Sequence, residues 1–261
     1  MRPIFAVMLL YWSIMACPHP SLGQPGRSYS PAQGLSERDH LQKHPFTEAH
    51  QQGFKAVEMD LFYFQDTLYI AENESQIKEG RTLDRLYLKP LQRAFPQQGQ
   101  RSTTAHFQLI CRIRSPFEPT IEVLTRLLTS MIDQLSPQGG ITIVLGGNIP
   151  DPNAFQKYPL YFHFEGRPET SYTQYQLMRI ALFSPNLKDY SRWNGEGEML
   201  RKDRKRLSKI IEQAHRIQKP IRFRNTPDNI NTWKKLMDLQ VDCISTQRVV
   251  ELADYLRTGP L

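Results

Sequence analysis

The sequence predicts an α/β fold, a closed (β/α)8 TIM barrel, and three observations predict it. Short apolar runs alternate with amphipathic stretches along most of the 261-residue chain. That alternation implies parallel strands joined by right-handed helical crossovers. The apolar runs number about eight, the count that closes a barrel. No glycine-rich phosphate loop follows any of them, as an open dinucleotide-binding sheet would require, and Gly146-Gly147 is a lone pair.

The elements follow in order. A first strand is expected near Leu35, ahead of the polar stretch LSERDHLQKH. Pro45 to Gln52 suits a short helix stopped by Gly53. Lys55 to Asp60 reads as the second strand, followed by a small β excursion, Leu61 to Ala71, that turns at Gln65-Asp66-Thr67. Thr82 to Phe95 carries Leu83, Leu86, Tyr87 and Leu91 on one helical face, with Pro90 as a kink. Phe107 to Arg114 is a strand, and Thr120 to Leu135 the clearest amphipathic helix. The remaining strands are Ile141–Leu145, Leu160–Phe164, Ile180–Phe183, Pro220–Arg224 and Val241–Ser245. Helices are expected at residues 172–180, Lys202–Ile217, Ile230–Leu239 and Val249–Arg257.

Composition bounds the function. A net charge of +7 is moderate, and its one dense run, Arg201 to Arg206, reads as a solvated helix face. No basic stripe interleaved with aromatics is present, so nucleic acid is not expected as a partner. Residues 1–23 resemble an export signal: Arg2, then an uncharged apolar run from Ile4 to Ala16, too short to span a membrane. Cys17 ends a stretch like a lipoprotein box and would then carry a lipid. The chain is therefore expected to be exported, secreted or periplasmic, touching membrane only through the signal or a lipid anchor. Residues 24–33 read as a flexible linker, leaving residues 34–261 for the barrel. Cys111 and Cys243 fall in separate apolar strands and are expected as buried thiols; no Cys/His spacing suggests zinc.

In a barrel, chemistry gathers at the carboxyl ends of the strands. There the chain places Glu58 and Asp60, Arg112 and Arg114, Glu165 and Arg167, Ser184, Arg222 and Arg224, and Ser245 with Gln247. Alternation puts Glu58 and Asp60 on one side of their strand, with Val57 and Met59 on the other. Two adjacent acids repel, so a metal ion or a basic side chain must sit between them. The sequence favours the basic side chain.

These pieces, taken in order, resemble the glycerophosphodiester phosphodiesterase and phosphatidylinositol phospholipase C superfamily, nearest a secreted subgroup that opens HSHNDY. The resemblance rests on GFKAVEMD (53–60), TLDRLYLKPL (82–91), the strand leading into RIR, EGR (165–167), RFRNTPD (222–228) and WKKLMDLQVDCISTQ (233–247). It implies two histidines as general acid and base, and a divalent cation on carboxylates that offsets phosphate charge. Leu35 and Glu37 stand where the two histidines would be, and Glu72-Asn73 where His-Asp follows the excursion. Arg112 and Arg114 stand where an acid and a lysine are usual, Arg224 replaces a tryptophan and Gln247 an aspartate. Glu58 and Asp60 remain, and Glu165 replaces an aspartate.

The expectation is a catalytically degenerate phosphodiesterase-like barrel. Glu58 and Asp60 would be vestigial metal ligands paired with Arg112. Arg112, Arg114, Glu165, Arg222 and Arg224 would bind a small anionic or polyol-phosphate ligand, with no cofactor. An arginine stays protonated and is a poor proton shuttle. The alternatives are an active phosphoric diester hydrolase using calcium or magnesium, with His163 or His40 as the rescuing histidine, and a structural or partner-binding lipoprotein. His44, His106 and His215 read as surface or structural groups, and Trp193 as packing near the mouth.

Overall fold

The computed structural model describes residues 28–95, 106–135 and 140–259. The export signal and Cys17 lie outside the described residues. Among those described, no helix is long and apolar enough to cross a membrane.

Seven strands run parallel in one curled sheet: β1 (Gly34–Ser36), β2 (Ala56–Phe64), β4 (Phe107–Ile113), β5 (Ile141–Gly147), β6 (Phe162–Gly166), β7 (Ile180–Phe183) and β8 (Ile244–Thr246). Their order is β7-β6-β5-β4-β2-β1-β8. β3 (Thr67–Ile70) folds back antiparallel on β2, and Gln65 and Asp66 both take positive φ in the turn between them. That is the hairpin geometry whose twist matches the flanking strands, and it forms the excursion the sequence expects.

Of the eight expected strands, the seventh in chain order, Pro220–Arg224, is not regular. Only Ile221 and Arg224 make isolated parallel bridges, to Phe183 and Asn186. Pro220 has no N–H to donate, and Asn225, at φ 53, turns the chain away. The segment still lies between β7 and β8. Arg222 N donates to Phe183 O at 3.0 Å, and Asp242 N donates to Ile221 O at 3.0 Å.

Helices α1 (Thr47–Gln51), α2 (Lys89–Ala94), α3 (Phe117–Leu128), α4 (Gln174–Arg179), α5 (Arg201–Arg216), α6 (Ile230–Asp238) and α7 (Val249–Thr258) complete the fold. The expected helix over 82–95 forms as a continuous helical run: a π-helical turn spans Asp84–Leu88 and passes directly into α2, with Leu88 and Lys89 both right-handed helical and Pro90 just past that junction. α3 starts and stops earlier than the periodicity suggests, followed by a 3-10 turn at Thr129–Met131. The basic run at the start of α5 faces solvent, with only Asp203 of its first six residues buried.

Two apolar layers follow from strand alternation. Val57, Met59, Leu61, Leu109, Cys111, Ile113, Ile143 and Leu145 belong to the large core under the helices. Leu35, Ala56, Ile110, Val144 and Leu182 form a separate cluster inside the curl of the sheet. No disulfide joins Cys111 and Cys243, and burial pushes the Cys111 thiol up to about 12. Residues 28–33, expected in the flexible linker, are fixed to the body. Ser30 caps a 3-10 turn at Pro31–Gln33, and the Tyr29 hydroxyl donates to Val241 O at 2.6 Å.

Candidate functional site

The even-numbered residues of β2 point into the curl, so Glu58 and Asp60 rise above the inner apolar cluster, both almost fully buried. Facing them is Arg222, with no exposed surface. Its Nη2 bonds a Glu58 carboxylate oxygen and donates to Glu165 Oε1 at 2.7 Å. Its Nε donates to Ser184 Oγ at 2.8 Å, and Nη1 reaches Ser245 Oγ at 3.4 Å. One guanidinium thus joins β2, β6, the end of β7 and β8.

The electrostatics follow from that burial. Desolvation works against charge on Arg222, and Glu58 and Glu165 more than reverse it, so its pKa is raised. Burial pushes the Glu58 carboxyl up against the pull of Arg222. Burial acts on Glu165 likewise, but Arg222, Ser184 and Arg224 together hold its pKa below the usual value. Gly146 makes room for this carboxylate. A Cβ there would collide with Glu165 Oε2, so only a glycine on β5 lets the acid lie over the strand.

Asp60 is held elsewhere. Arg114 Nε donates to Asp60 Oδ1 at 2.5 Å. Arg112, the partner expected for the acid pair, stands back: Nη1 is 3.7 Å from Glu58 Oε1 and Nε 3.8 Å from Asp60 Oδ1. The Arg112 Nε is buried with no hydrogen-bond partner. The residue that grips Glu58 is Arg222, which the sequence grouped with the ligand-binding arginines.

Beside this network opens a cavity of about 660 Å3, lined by Arg112, Gly146, Asn148, Glu165, Ser184 and Arg224, with Arg167 and Tyr172 at its side. Arg224 donates from Nε to Ser184 O at 2.8 Å. Its pKa is lowered, first by burial and then by the like charge of Arg112. Two guanidinium groups therefore share one cavity with two acids, Asp151 and Glu165, and Glu165 is already bound to Arg222. A cavity of this charge suits an anion.

The histidine positions implied by the resemblance are elsewhere occupied. Leu35 is buried in the inner apolar cluster. Glu37 lies at the sheet's carboxyl end, its N–H donating to Thr246 O at 2.8 Å. Glu72 ion-pairs with Arg38, a residue held at φ 53. Of the rescue candidates, His163 lies two residues before Glu165 on β6. It lines a different cavity with His106, Thr142 and Tyr161, near the amino ends of the strands, and its pKa is lowered by burial and by Arg179. It does not reach the acids. His40 does: its Nε2 is 3.9 Å from Asp60 Oδ2. Burial lowers its pKa, partly opposed by Asp60. Trp193 donates to Glu196 O at 2.8 Å and does not line the cavity.

A divalent ion of the kind the resemblance implies would need Glu58, Asp60 and a third acid on β4. The residues present do not fit it. Arg112 holds the third position and faces one oxygen of Glu58, Arg222 bonds the other, and Arg114 bonds an oxygen of Asp60.

The sequence placed Glu58, Asp60, Arg112, Arg114, Glu165, Arg222 and Arg224 in one mouth, and the structure brings them together. Sequence reasoning missed Asn148 and Tyr172 along the cavity, and Asp39. Asp39 is fully buried, accepting from Phe46 N at 2.6 Å and from the Tyr87 hydroxyl at 2.9 Å. Its signal was an acid in a polar stretch, indistinguishable there from a surface group.

The family model described as an AIM6-like phosphodiesterase domain matches residues 26–112, the stretch from the Ser30-capped turn to Arg112 on β4. No curated protein matches the chain. Residues 26–112 are therefore similar to a phosphodiesterase-like domain, and the described residues form an α/β fold with a curled, seven-stranded parallel sheet.

Proposed function

We propose that the chain is an exported, catalytically degenerate phosphodiesterase-like barrel that binds a small anionic or polyol-phosphate ligand at the carboxyl end of its strands. The reading treats residues 220–224 as an irregular eighth stave, since they bond to β7 on one side and to the approach to β8 on the other. Export rests on the apolar run of residues 4–16 and is tested by fractionating cells that express the full chain.

The observation that carries this reading is Arg222, locked between Glu58 and Glu165 while Arg112 and Arg224 face the cavity. Acids that would hold a metal ion are neutralised by arginines. Two further arginines are left to meet the negative charge of a ligand. Arg112 stands 3.7 Å from Glu58 and 3.8 Å from Asp60, so its guanidinium, which lines the cavity, keeps charge to offer a phosphate. Loss of a general acid or base alone costs about 10²–10⁴-fold in rate, and here Leu35 and Glu37 take both histidine places.

The test pairs two measurements on the full chain. A chromogenic phosphodiester should show no turnover above background with calcium or magnesium, while glycerol phosphate or inositol phosphate binds by calorimetry. His40, 3.9 Å from Asp60, favours one second reading, an active hydrolase with a displaced histidine. Turnover abolished by Glu58→Gln or His40→Ala would establish that reading in place of the first.

A further inference from the structure

We propose that the outer face of α5 is a docking surface for an anionic lipid bilayer. A helix repeats every 3.6 residues or about 5.4 Å, so Arg201, Lys202, Lys205, Arg206, Lys209 and Arg216 fall on one side of it. All six are exposed, while Asp203, Leu207, Ile211 and Ala214 turn the opposite side into the body. At about 1.5 Å of rise per residue, the basic stripe is roughly 22 Å long. Glu212 is the one acid among the exposed residues of α5.

Folding does not account for these charges. Among the described residues, none of the six makes an ion pair. On α7, by contrast, Arg248 pairs with Glu251 and Arg257 with Asp254. Arg201 and Lys202 also sit in the first turn of α5, where the free N–H groups carry partial positive charge and cations are unfavourable. The acid of that turn, Asp203, is turned inward and accepts from Ser191 Oγ at 2.9 Å.

Apolar contacts at the two ends of the stripe select lipid over nucleic acid. Leu200, just before α5, is 59% exposed, and Ile217, just after it, 42%. The helix carries no Phe, Tyr or Trp on which bases could stack. Exposed cations flanked by bare apolar side chains match the headgroup layer of an anionic membrane, where phosphates meet acyl chains.

The N-terminal sequence points to the same partner. Residues 17–27 join the apolar run from Ile4 to Ala16 to the body, so that run, or a lipid on Cys17, would keep α5 within reach of a bilayer. A single acyl chain anchors only marginally, and a polybasic surface supplies the second signal. Export enters only in this choice of partner. Vesicle binding is measured without it, and the anion cavity plays no part.

The test sediments the full chain with vesicles of phosphatidylcholine alone and with vesicles containing about 30% phosphatidylglycerol. The apolar run of residues 4–16 acts on both, so the difference between them isolates the contribution of charge. We expect tighter binding to the anionic vesicles, with the difference lost as salt rises towards about 1 M. Lys205→Gln, Lys209→Gln and Arg216→Gln together should weaken anionic-vesicle binding by about 100-fold. Lys43→Gln, Lys78→Gln and Arg93→Gln remove as much charge at exposed positions on other elements and should weaken it by less than about fivefold. Equal binding to the two vesicles overturns the proposal. Equal loss in the two triple variants does so as well, because net charge would then explain the attraction. Single-stranded DNA that displaces the chain from the vesicles at equal phosphate concentration overturns lipid as the partner.

Discussion

Arg222 Nη2 lies 2.7 Å from Glu165 Oε1 and bonds Glu58 with the same nitrogen, so one buried cation holds two buried acids drawn from β2 and β6. Most of the site's behaviour follows from that sharing. The acids cannot serve a metal ion while the guanidinium holds them, and the guanidinium cannot leave without exposing two carboxylates to an apolar interior.

Removing the cation should therefore be severe. Arg222→Met is expected to lower unfolding free energy by about 3–5 kcal/mol, since it strands buried charge. Adding Glu58→Gln and Glu165→Gln to it should restore much of the loss. Urea denaturation of the parent, the single variant and the triple variant measures this. A single variant within about 1 kcal/mol of the parent would show that the network does not hold the sheet together.

Gly146→Ala tests the same network without touching a charge. The added Cβ would push Glu165 Oε2 off β5 and away from Arg222. A loss of about 1–3 kcal/mol is expected, as for other overpacked sites. Leaving stability unchanged would mean that Glu165 has another place to lie.

Ligand binding should depend on the two cavity arginines and on salt. Arg112→Ala and Arg224→Ala are each expected to weaken inorganic phosphate or glycerol phosphate binding by about tenfold or more, the weight of one charge-assisted hydrogen bond. Added salt should weaken it further. Calorimetry at two salt concentrations reads both effects. Equal affinity in parent and variants would move the ligand to another surface.

Asp39 should leave a mark on stability against pH. Burial raises its carboxyl from 3.8 to about 6, partly offset by the Phe46 N–H. A folded-state pKa above the unfolded one means that the folded state binds the proton more tightly. The associated stability is complete below about pH 3.8 and is lost as pH rises through about 6. Asp39→Asn keeps an oxygen for Phe46 N and Tyr87 but cannot ionise. Its stability should exceed that of the parent at pH 8, on the order of 2–3 kcal/mol, and the gap should close below pH 4. Thermal unfolding across pH 4–8 checks it, and parallel curves for the two proteins would contradict it.

Strand alternation was enough to turn Glu58 and Asp60 to the same side, because the period of two leaves no freedom once Val57 and Met59 go to the helix layer. The excursion was equally legible, since Gln65-Asp66 separates two apolar runs that pair as β2 and β3. The irregularity of the strand expected at Pro220–Arg224 was not. Its apolar pattern was right, but Pro220 and the φ of Asn225 break the ladder after isolated bridges. The place of His163 was legible only in part. Alternation fixed its side of β6 but not its height, and two residues of rise carried it into a different cavity from Arg112 and Glu165.

By itself the sequence determined that acids and arginines would meet at one end of parallel strands, and that Leu35 and Glu37 could not carry the chemistry of histidines. Only the tertiary structure decided that Arg222, 164 residues along the chain from Glu58, would be the cation in its grip, with Arg112 left facing the cavity. Likewise only the folded chain brought His40 and Glu72 to Asp60. Residue spacing fixes which way a side chain points. Which of several arginines fills a shared pocket depends on the curl of the sheet and the reach of each side chain, which no local pattern encodes.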